Sequence, residues 1–480
     1  MENCFKKSIM VLMLVVIIAL NGCQSISGNI NPLNQDNPIT VTIWHYYNGH
    51  IKDNFDAMVS EFNETTGMEM GIVVETKSHG DVGQLANAVF DAASNDIGSE
   101  NMPNIFAAYP DNAIRVHKII GLVDMESYFT DEEIQEYRKE FLKEGVFLNE
   151  EKHYIIPVAK SSENLFVNKK YWETFSKKHG YTEADLSTWE SILRVAEKYY
   201  EETGNSFLGI DAVTNYILMS SMQLGTEIFS YNEDGTASFN FDKDIARKIW
   251  DNYYTPYLNG YFLKTGRFSS DDAKTGKTIA YTGSTAGAGY FPTEVTFSQD
   301  DIVEIEALVL PYPYFRDGKP FAMQQGAGMC ISKSDFQHEY ASAEFLKWFT
   351  TAENNLKFAV STGYFPVKNE ILNESKMIGA MQEAKITNPA IKASILTTNK
   401  MFNEYSIYST KPFDGSFEIR NFLESELNEK ITRDVEIISK QVSAGKIYKD
   451  LINDHISEVE FEKWYKDIVS EAEAILIRYK

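Results

Sequence analysis

The sequence predicts an α/β fold divided over two lobes. Three observations carry that prediction: strand-like and helix-like periods alternate from residue 39 onward, the alternation returns in looser form after residue 150, and 480 residues are many for a single core. Helices are expected to dominate the last third, and no fixed-period repeat is visible.

Residues 1–22 come first, as an export leader. Lys6 and Lys7 give the positive flank, residues 9–20 form an uncharged apolar run, and Leu20-Asn21-Gly22-Cys23 closes it as a small-residue cleavage site. The run is too short to span a bilayer comfortably and has signal-peptide flanks. A cysteine at this spot predicts a bacterial lipoprotein, with Cys23 as the acylated new N-terminus and palmitate among its chains, since two or more acyl chains hold stably where one does not. The alternative is an ordinary secretory signal with an incidental cysteine, and Asn21 is less usual there than Ala or Ser. Residues 23–38, polar and interrupted by Pro32 and Pro38, read as a lipidated flexible tether.

The fold begins at residue 39. Residues 39–44 alternate β-branched and apolar side chains as a strand does, and Ile51, Phe55, Met58, Val59 and Phe62 recur at helical spacing. Strand 71–75, helix 81–93 and strand 104–109 follow. Residues 153–158 and 165–168 read as strands on either side of 159–164, and Ser187-Thr188 introduces a helix over 189–202. Strands 278–282 and 304–310 precede helices over 339–350, 352–361, 417–444 and 458–479.

Composition excludes several classes of function. A net charge of −24 opposes nucleic-acid binding, which needs clustered Lys and Arg. With Cys4 in the leader and Cys23 lipidated, Cys330 is left alone, so no intramolecular disulfide is expected; the apolar run Gly328-Met329-Cys330-Ile331 makes it a buried small hydrophobe. The 27 Tyr, 30 Phe and 6 Trp supply many flat faces for stacking, although most belong to the core.

Signatures of catalysis are missing from the sequence. There is no Gly-x-Ser-x-Gly elbow. His338-Glu339 lacks the second histidine of a zinc-binding helix, and the eight histidines form no ligand cluster, so neither metal nor cofactor is expected. Gly276-Lys277-Thr278 imitates the end of a phosphate loop, but Asp271 stands where its first glycine belongs. Asp271-Asp272 offers one half of a glycosidase carboxylate pair, a chemistry recognised by spatial separation rather than by adjacency in sequence. No enzyme is expected.

A series of landmarks carries a resemblance. Val41-Thr42-Ile43-Trp44-His45-Tyr46-Tyr47-Asn48-Gly49 is followed by Met102-Pro103-Asn104-Ile105, by Ile156-Pro157-Val158-Ala159-Lys160-Ser161-Ser162 and by Phe166-Val167-Asn168-Lys169. Ser187-Thr188-Trp189, Gly283-Ser284-Thr285-Ala286-Gly287, Glu344-Phe345-Leu346-Lys347-Trp348-Phe349 and Thr362-Gly363-Tyr364-Phe365-Pro366 complete it. Each is weak alone. In this order they make the chain, from residue 39 to its C-terminus, resemble the family 1 extracellular solute-binding proteins, the receptors of ABC importers, with carbohydrate and glycerol-phosphate receptors as close relatives. The resemblance implies a two-lobed periplasmic-binding-protein-like fold of type II, each lobe a mainly parallel sheet flanked by helices, with the ligand cleft at the hinge. Lobe I is then expected over 39–157 plus 329–395, and lobe II over 158–328 plus 396–480.

The resemblance also implies a site. Trp44, Tyr46 and Tyr47, where the first strand ends, are placed to stack on a sugar ring while Asn48 bonds its hydroxyls; alternatively Trp44 is core and one tyrosine covers the strand end. Ser161 and Ser162 present hydroxyls at the first crossing between lobes. Lys160 departs from the neutral residue usual there and either meets an anionic group or reaches solvent. Gly283 to Gly289, with Ser284 and Thr285 near its start, is a glycine-rich turn that brings backbone N–H groups to a ligand, or a plain tight turn. Gln325 and Gly326 wall the second crossing, and Tyr364 faces ligand or joins the core.

Glycerol-3-phosphate receptors, similar here through Gly415 and Ile419-Arg420, carry an arginine just before that glycine. This chain has Pro412-Phe413-Asp414 instead, with Lys411 as the nearby cation, which favours a neutral carbohydrate. The expected function is capture of a sugar or oligosaccharide by a monomeric, lipid-anchored receptor outside the cytoplasm, on a Gram-positive surface or in a Gram-negative periplasm, for delivery to ABC permease subunits. A glycerol-3-phosphate-type receptor, a sensor or adhesin on the same fold, and an exported carbohydrate-active enzyme are the alternatives.

Overall fold

The computed structural model describes residues 31–147, 151–232, 234–298 and 301–479. The leader, Cys23 and the tether up to residue 30 lie outside the described residues. Two four-stranded sheets organise the two lobes. Their strands are, in chain order, β1 (Ile39–His45), β2 (Ile72–Ser78), β3 (Ile105–Ala108), β4 (Glu163–Asn168), β5 (Leu208–Ile210), β6 (Ala280–Ser284), β7 (Ala307–Pro311) and β8 (Gly328–Ile331).

The first sheet runs β8-β3-β1-β2, with β1 parallel to both neighbours and only β8 antiparallel. The second runs β7-β4-β6-β5 and is mixed rather than mainly parallel. Its register gives the reason. Glu163 lies opposite Ser284, and Asn168 opposite Ala307, so β5, β6 and β7 run one way while β4, entering from the first lobe, runs between two of them in the other.

The helices used below are α1 (Gly49–Glu64), α2 (Val82–Ser94), α3 (Pro110–Ile120), α4 (Trp189–Thr203), α5 (Val213–Gln223), α6 (Phe336–Phe349), α7 (Ala352–Thr362), α8 (Pro389–Glu404), α9 (Ser416–Ser443) and α10 (Glu458–Ile477). In α1 the residues at helical spacing, Ile51, Phe55, Met58, Val59 and Phe62, are the buried ones, and the helix lies against β2 and α7. Asp81 caps α2 and Thr188 caps α4, each accepting a backbone N–H of the first turn. In the second lobe α9 packs on α5 and α10.

Three expectations change. Residues 153–158 form no strand; single bridges join His153 to Val146 and Ile156 to Met329, and Pro157 has no N–H with which to extend a ladder. The boundary expected at residue 395 falls inside α8, which packs on β7 and β4. Residues 31–38, expected as free tether, run along the first lobe, where Gln337 Nε2 donates to Pro32 O at 2.8 Å. Among the described residues, no helix is long and apolar enough to cross a membrane.

Two crossing segments and the turn that follows α7 lie side by side between the sheets. Ser161 and Gln325 exchange both backbone hydrogen bonds, at 2.9 and 2.8 Å, and Lys160 and Phe365 do the same at 2.9 and 2.6 Å. Gly326 sits in this ladder with φ +84°, and a Cβ there would meet Ala159 O at 2.4 Å, so both conformation and space require glycine.

Candidate functional site

The seam between the lobes is built from the ends of strands. After β1 ends at His45, Asn48 occupies the N-cap position of α1 without capping it. Instead its Nδ2 donates to Gly80 O at 3.1 Å, and its Oδ1 accepts from the Tyr290 hydroxyl of the second lobe at 3.3 Å. The Tyr46 hydroxyl lies 3.2 Å from that of Tyr364 and accepts the Ala327 N–H at 3.3 Å. Tyr109, where β3 ends, accepts the Gly326 N–H at 3.1 Å. Burial pushes the hydroxyls of Tyr46, Tyr109 and Tyr364 above the ordinary phenol range, so they work as neutral hydrogen-bonding groups.

A polar wall faces them. Glu163 opens β4, and its Oε1 accepts from Asn215 Nδ2 at 2.6 Å and from Gln325 Nε2 at 2.7 Å, while its Oε2 is buried with no partner among the described residues. Burial pushes this carboxyl up to about 7; the charges of Asp211 and Glu424 add to the rise, and the two donors oppose it. Arg420, on α9, donates from Nη2 to Asn215 Oδ1 at 3.0 Å, and its Nε lies 3.7 Å from Asp111 at the start of α3.

Further contacts draw the lobes together. Arg267 pairs with Asp81 at 3.1 Å, Lys118 pairs with Asp414, and the Arg115 guanidinium lies 3.8 Å from the Phe417 ring centroid. For Asp81, partial burial acts upward, but the Gln84 N–H and Arg267 outweigh it and hold the carboxyl below its usual range.

The residues predicted from sequence separate into three groups. Tyr46, Asn48, Gln325 and Tyr364 come together along the seam, with Gly326 behind them. Trp44, Tyr47, Gly283, Ser162 and Thr285 do not open onto it. Trp44 is 5% exposed with its ring centroid 4.5 Å from that of His79, and Tyr47 is 2% exposed against His45 and Phe55, because β1 is an inner strand and α1 covers its end. Ser162 N–H donates to Thr285 Oγ1 at 3.1 Å and Thr285 N–H to Ser162 O at 2.9 Å, so these groups join β6 to the crossing, and the Ser162 hydroxyl is buried. Gly283 is inside β6, where a Cβ would come within 3.1 Å of Asp211 Oδ2. Ser284 is half-buried, and the backbone of Ser161 belongs to the hinge ladder.

Lys160 forms the third group, as a correction. It does not reach solvent: it is 0% exposed, pairs with the Glu144 carboxylate, and donates to Gly326 O at 2.7 Å. Gln324 Nε2 donates to the other Glu144 oxygen at 2.6 Å. Burial pulls the Lys160 ammonium downward, and the Glu144 carboxylate against it is its counter-charge.

At the position where an arginine would mark phosphate binding, Phe413 is buried with its ring 4.9 Å from Phe229, and the exposed Lys411 places its ammonium 5.1 Å over the Tyr231 ring. Cys330 is buried in β8, and burial pushes its thiol up. Among the described residues no group of His, Cys, Asp and Glu is arranged to hold a metal ion.

Sequence reasoning missed Tyr109, Asp111, Glu163, Asn215, Tyr290 and Arg420. Two of them left a signal. Glu163 is an acid at the head of a strand buried throughout, and Asn215 is an amide in a helix buried almost all round.

Two α/β lobes joined by a paired hinge, with convergent hydroxyls and amides between them, are the architecture of a solute receptor that closes on its guest. Residues 57–388 match the family model of the bacterial extracellular solute-binding protein, and the chain belongs to that family. No curated protein matches it. Solved structures with the same fold include the cyclic α-maltosyl-1,6-maltose binding protein from Arthrobacter globiformis, at TM-score 0.62 and 16% identity, covering 92% of this chain and 99% of that one. UgpB from Mycobacterium tuberculosis in complex with glycerophosphocholine superimposes at TM-score 0.63 with 17% identity, covering 92% and 98%. An ABC substrate-binding protein from Listeria monocytogenes in complex with cycloalternan gives TM-score 0.62 with 14% identity, covering 90% and 99%.

Proposed function

We propose that the protein is the receptor of an ABC importer, captures a neutral sugar or oligosaccharide between its lobes, and hands it to permease subunits without chemical change. The carrying observation is the chemistry of the seam: Tyr46, Tyr109, Tyr364, Asn48 and Gln325 bring neutral hydroxyls and amides together, while Phe413 and Asp414 stand where a phosphate receptor needs a cation. The saccharides named for the Arthrobacter and Listeria proteins support the same class. Ligand bonded to both lobes favours the closed form, which is how binding becomes visible to a permease. We assign ligand contact to Tyr46, Asn48, Ser161, Ser284, Gln325 and Tyr364, and membrane attachment of a monomer to acylated Cys23, outside the cytoplasm.

A thermal-unfolding series on the full chain with maltotriose, mannotriose, cycloalternan and glycerophosphocholine tests this. A saccharide held at one hundred times its Kd should stabilise the fold by about 2.7 kcal/mol and raise Tm by a few degrees, with the saccharide recovered intact. A shift with glycerophosphocholine alone, or with none of the four, rejects the carbohydrate reading.

A further inference from the structure

Glu163 differs from the other acids of the seam. Asp111 faces Arg420 and Asp81 pairs with Arg267, whereas among the described residues no cation lies within ion-pair distance of Glu163. Its two amide donors, Asn215 and Gln325, both take Oε1. Among the described residues Oε2 is left buried and unpartnered, on a residue only 2% exposed, and Gln325 ties that side chain to the crossing where Gly326 meets Tyr109 of the first lobe. A buried carboxylate oxygen without a donor is costly, and three things relieve it: a proton, a cation, or a hydroxyl brought by a guest. The nearby cation is committed, because Arg420 is held by Asn215 and Asp111.

We propose that Glu163 is a specificity-determining residue of the ligand site, whose Oε2 accepts a hydroxyl of a neutral saccharide while the Arg420–Asn215 arm holds the carboxylate in place. The proposal rests on the carbohydrate reading above and sharpens it. A phosphate or other anion brought to the same oxygen meets like charge, so the group selects by repulsion as well as by attraction.

The titration of Glu163 gives the idea a sign. Its carboxyl is pushed up to about 7 by burial first, with Asp211 beyond β5 and Glu424 on α9 raising it further and Asn215 and Gln325 lowering it. Tyr109 and Tyr312 face it as neutral groups, and Arg420 reaches it through Asn215. A hydroxyl donor prefers the ionised acid, so saccharide affinity rises as pH passes upward through that range; an anionic ligand would show the opposite slope.

Calorimetric titration of the full chain, wild type, Glu163→Gln and Glu163→Leu, with maltotriose, mannotriose and glycerol 3-phosphate at about pH 6 and about pH 8 decides the matter. The expected result is a saccharide bound several-fold tighter at the higher pH by wild type, about tenfold weaker by the near-isosteric Glu163→Gln with the pH dependence gone, and weaker still by Glu163→Leu. Circular dichroism melts of each variant show that the fold is kept. Saccharide affinity equal in wild type and Glu163→Gln at both pH values overturns the inference alone. Tighter binding of glycerol 3-phosphate, weakening as pH rises, overturns it as well. If wild type binds no saccharide at all, the carbohydrate reading fails first and this inference falls with it.

Discussion

The hinge and the seam treat buried charge in opposite ways, although Lys160 and Glu163 are neighbours in sequence. At the hinge, Lys160 and Glu144 are buried against each other, with the Gly326 carbonyl accepting from the ammonium and the Gln324 amide donating to the carboxylate. In the seam, Glu163 is as deeply buried and carries an oxygen with no partner among the described residues. A buried charge held against its counter-charge fixes a geometry, whereas a buried acid whose second oxygen has neither a cation nor a donor among the described residues is still able to take one. On the proposal made for Glu163, the contrast would separate the part that joins the lobes from the part that selects what they close upon.

The contrast can be broken most forcefully at the hinge. Lys160→Met leaves Glu144 buried without its counter-charge and should cost about 3–5 kcal/mol, read from urea unfolding, whereas Lys160→Met combined with Glu144→Leu should recover most of it. A single-variant loss below about 1 kcal/mol would mean the hinge does not depend on the pair.

The next largest effect concerns Glu163. Its folded carboxyl, at about 7, lies above its ordinary 4.5, so the folded chain holds a proton that the unfolded chain releases. This group's stabilisation is therefore full below about pH 4.5 and lost as pH rises through about 7. The stability of Glu163→Gln relative to wild type should improve by up to about 3 kcal/mol between pH 4.5 and pH 8. Equal slopes for both proteins in urea titrations at the two pH values would show that the acid is solvated.

Gly326→Ala comes third, because its φ of +84° and its contact with Ala159 O admit no Cβ; about 2 kcal/mol should be lost, measured as a fall in Tm. Tyr364→Phe removes one member of the hydroxyl pair with Tyr46 and should weaken saccharide binding by about 1 kcal/mol without lowering Tm appreciably. The smallest change is expected from Arg267→Ala, which removes a largely exposed bridge to Asp81. Less than about 1 kcal/mol of stability is at stake, and the variant should erase part of the salt dependence of ligand affinity.

The first lobe was the more legible in sequence, for a physical reason. Its β1–α1–β2–α2–β3 run keeps strand and helix periods distinct, and α1 buries the very residues its spacing selects. In the second lobe α5 is buried almost all round and shows no amphipathic period, and β4 is buried at all of its residues, so neither announces its faces. Site chemistry was readable only as residue type. The aromatic run Trp44 to Tyr47 promised stacking faces, yet packing under α1 takes Trp44 and Tyr47 away from the seam and leaves Tyr46 on it. Lys160 and Glu163 carry ordinary charges on paper, and only the approach of Glu144 to one, and of Asn215 and Gln325 to the other, gives them different duties. Arg420 is brought to that wall by α9, an arrangement no local pattern encodes.

The paired crossings have a mechanical consequence. Ser161 with Gln325, and Lys160 with Phe365, form a narrow ribbon of reciprocal backbone bonds. Such a ribbon bends across its width without losing a bond, but sliding one crossing past another breaks two at a time. Swing about a single axis is thus the soft coordinate and shear is the stiff one. On the function proposed above, a permease docking on both lobes would read one angle, open or shut, and receive the same message from every guest able to shut it.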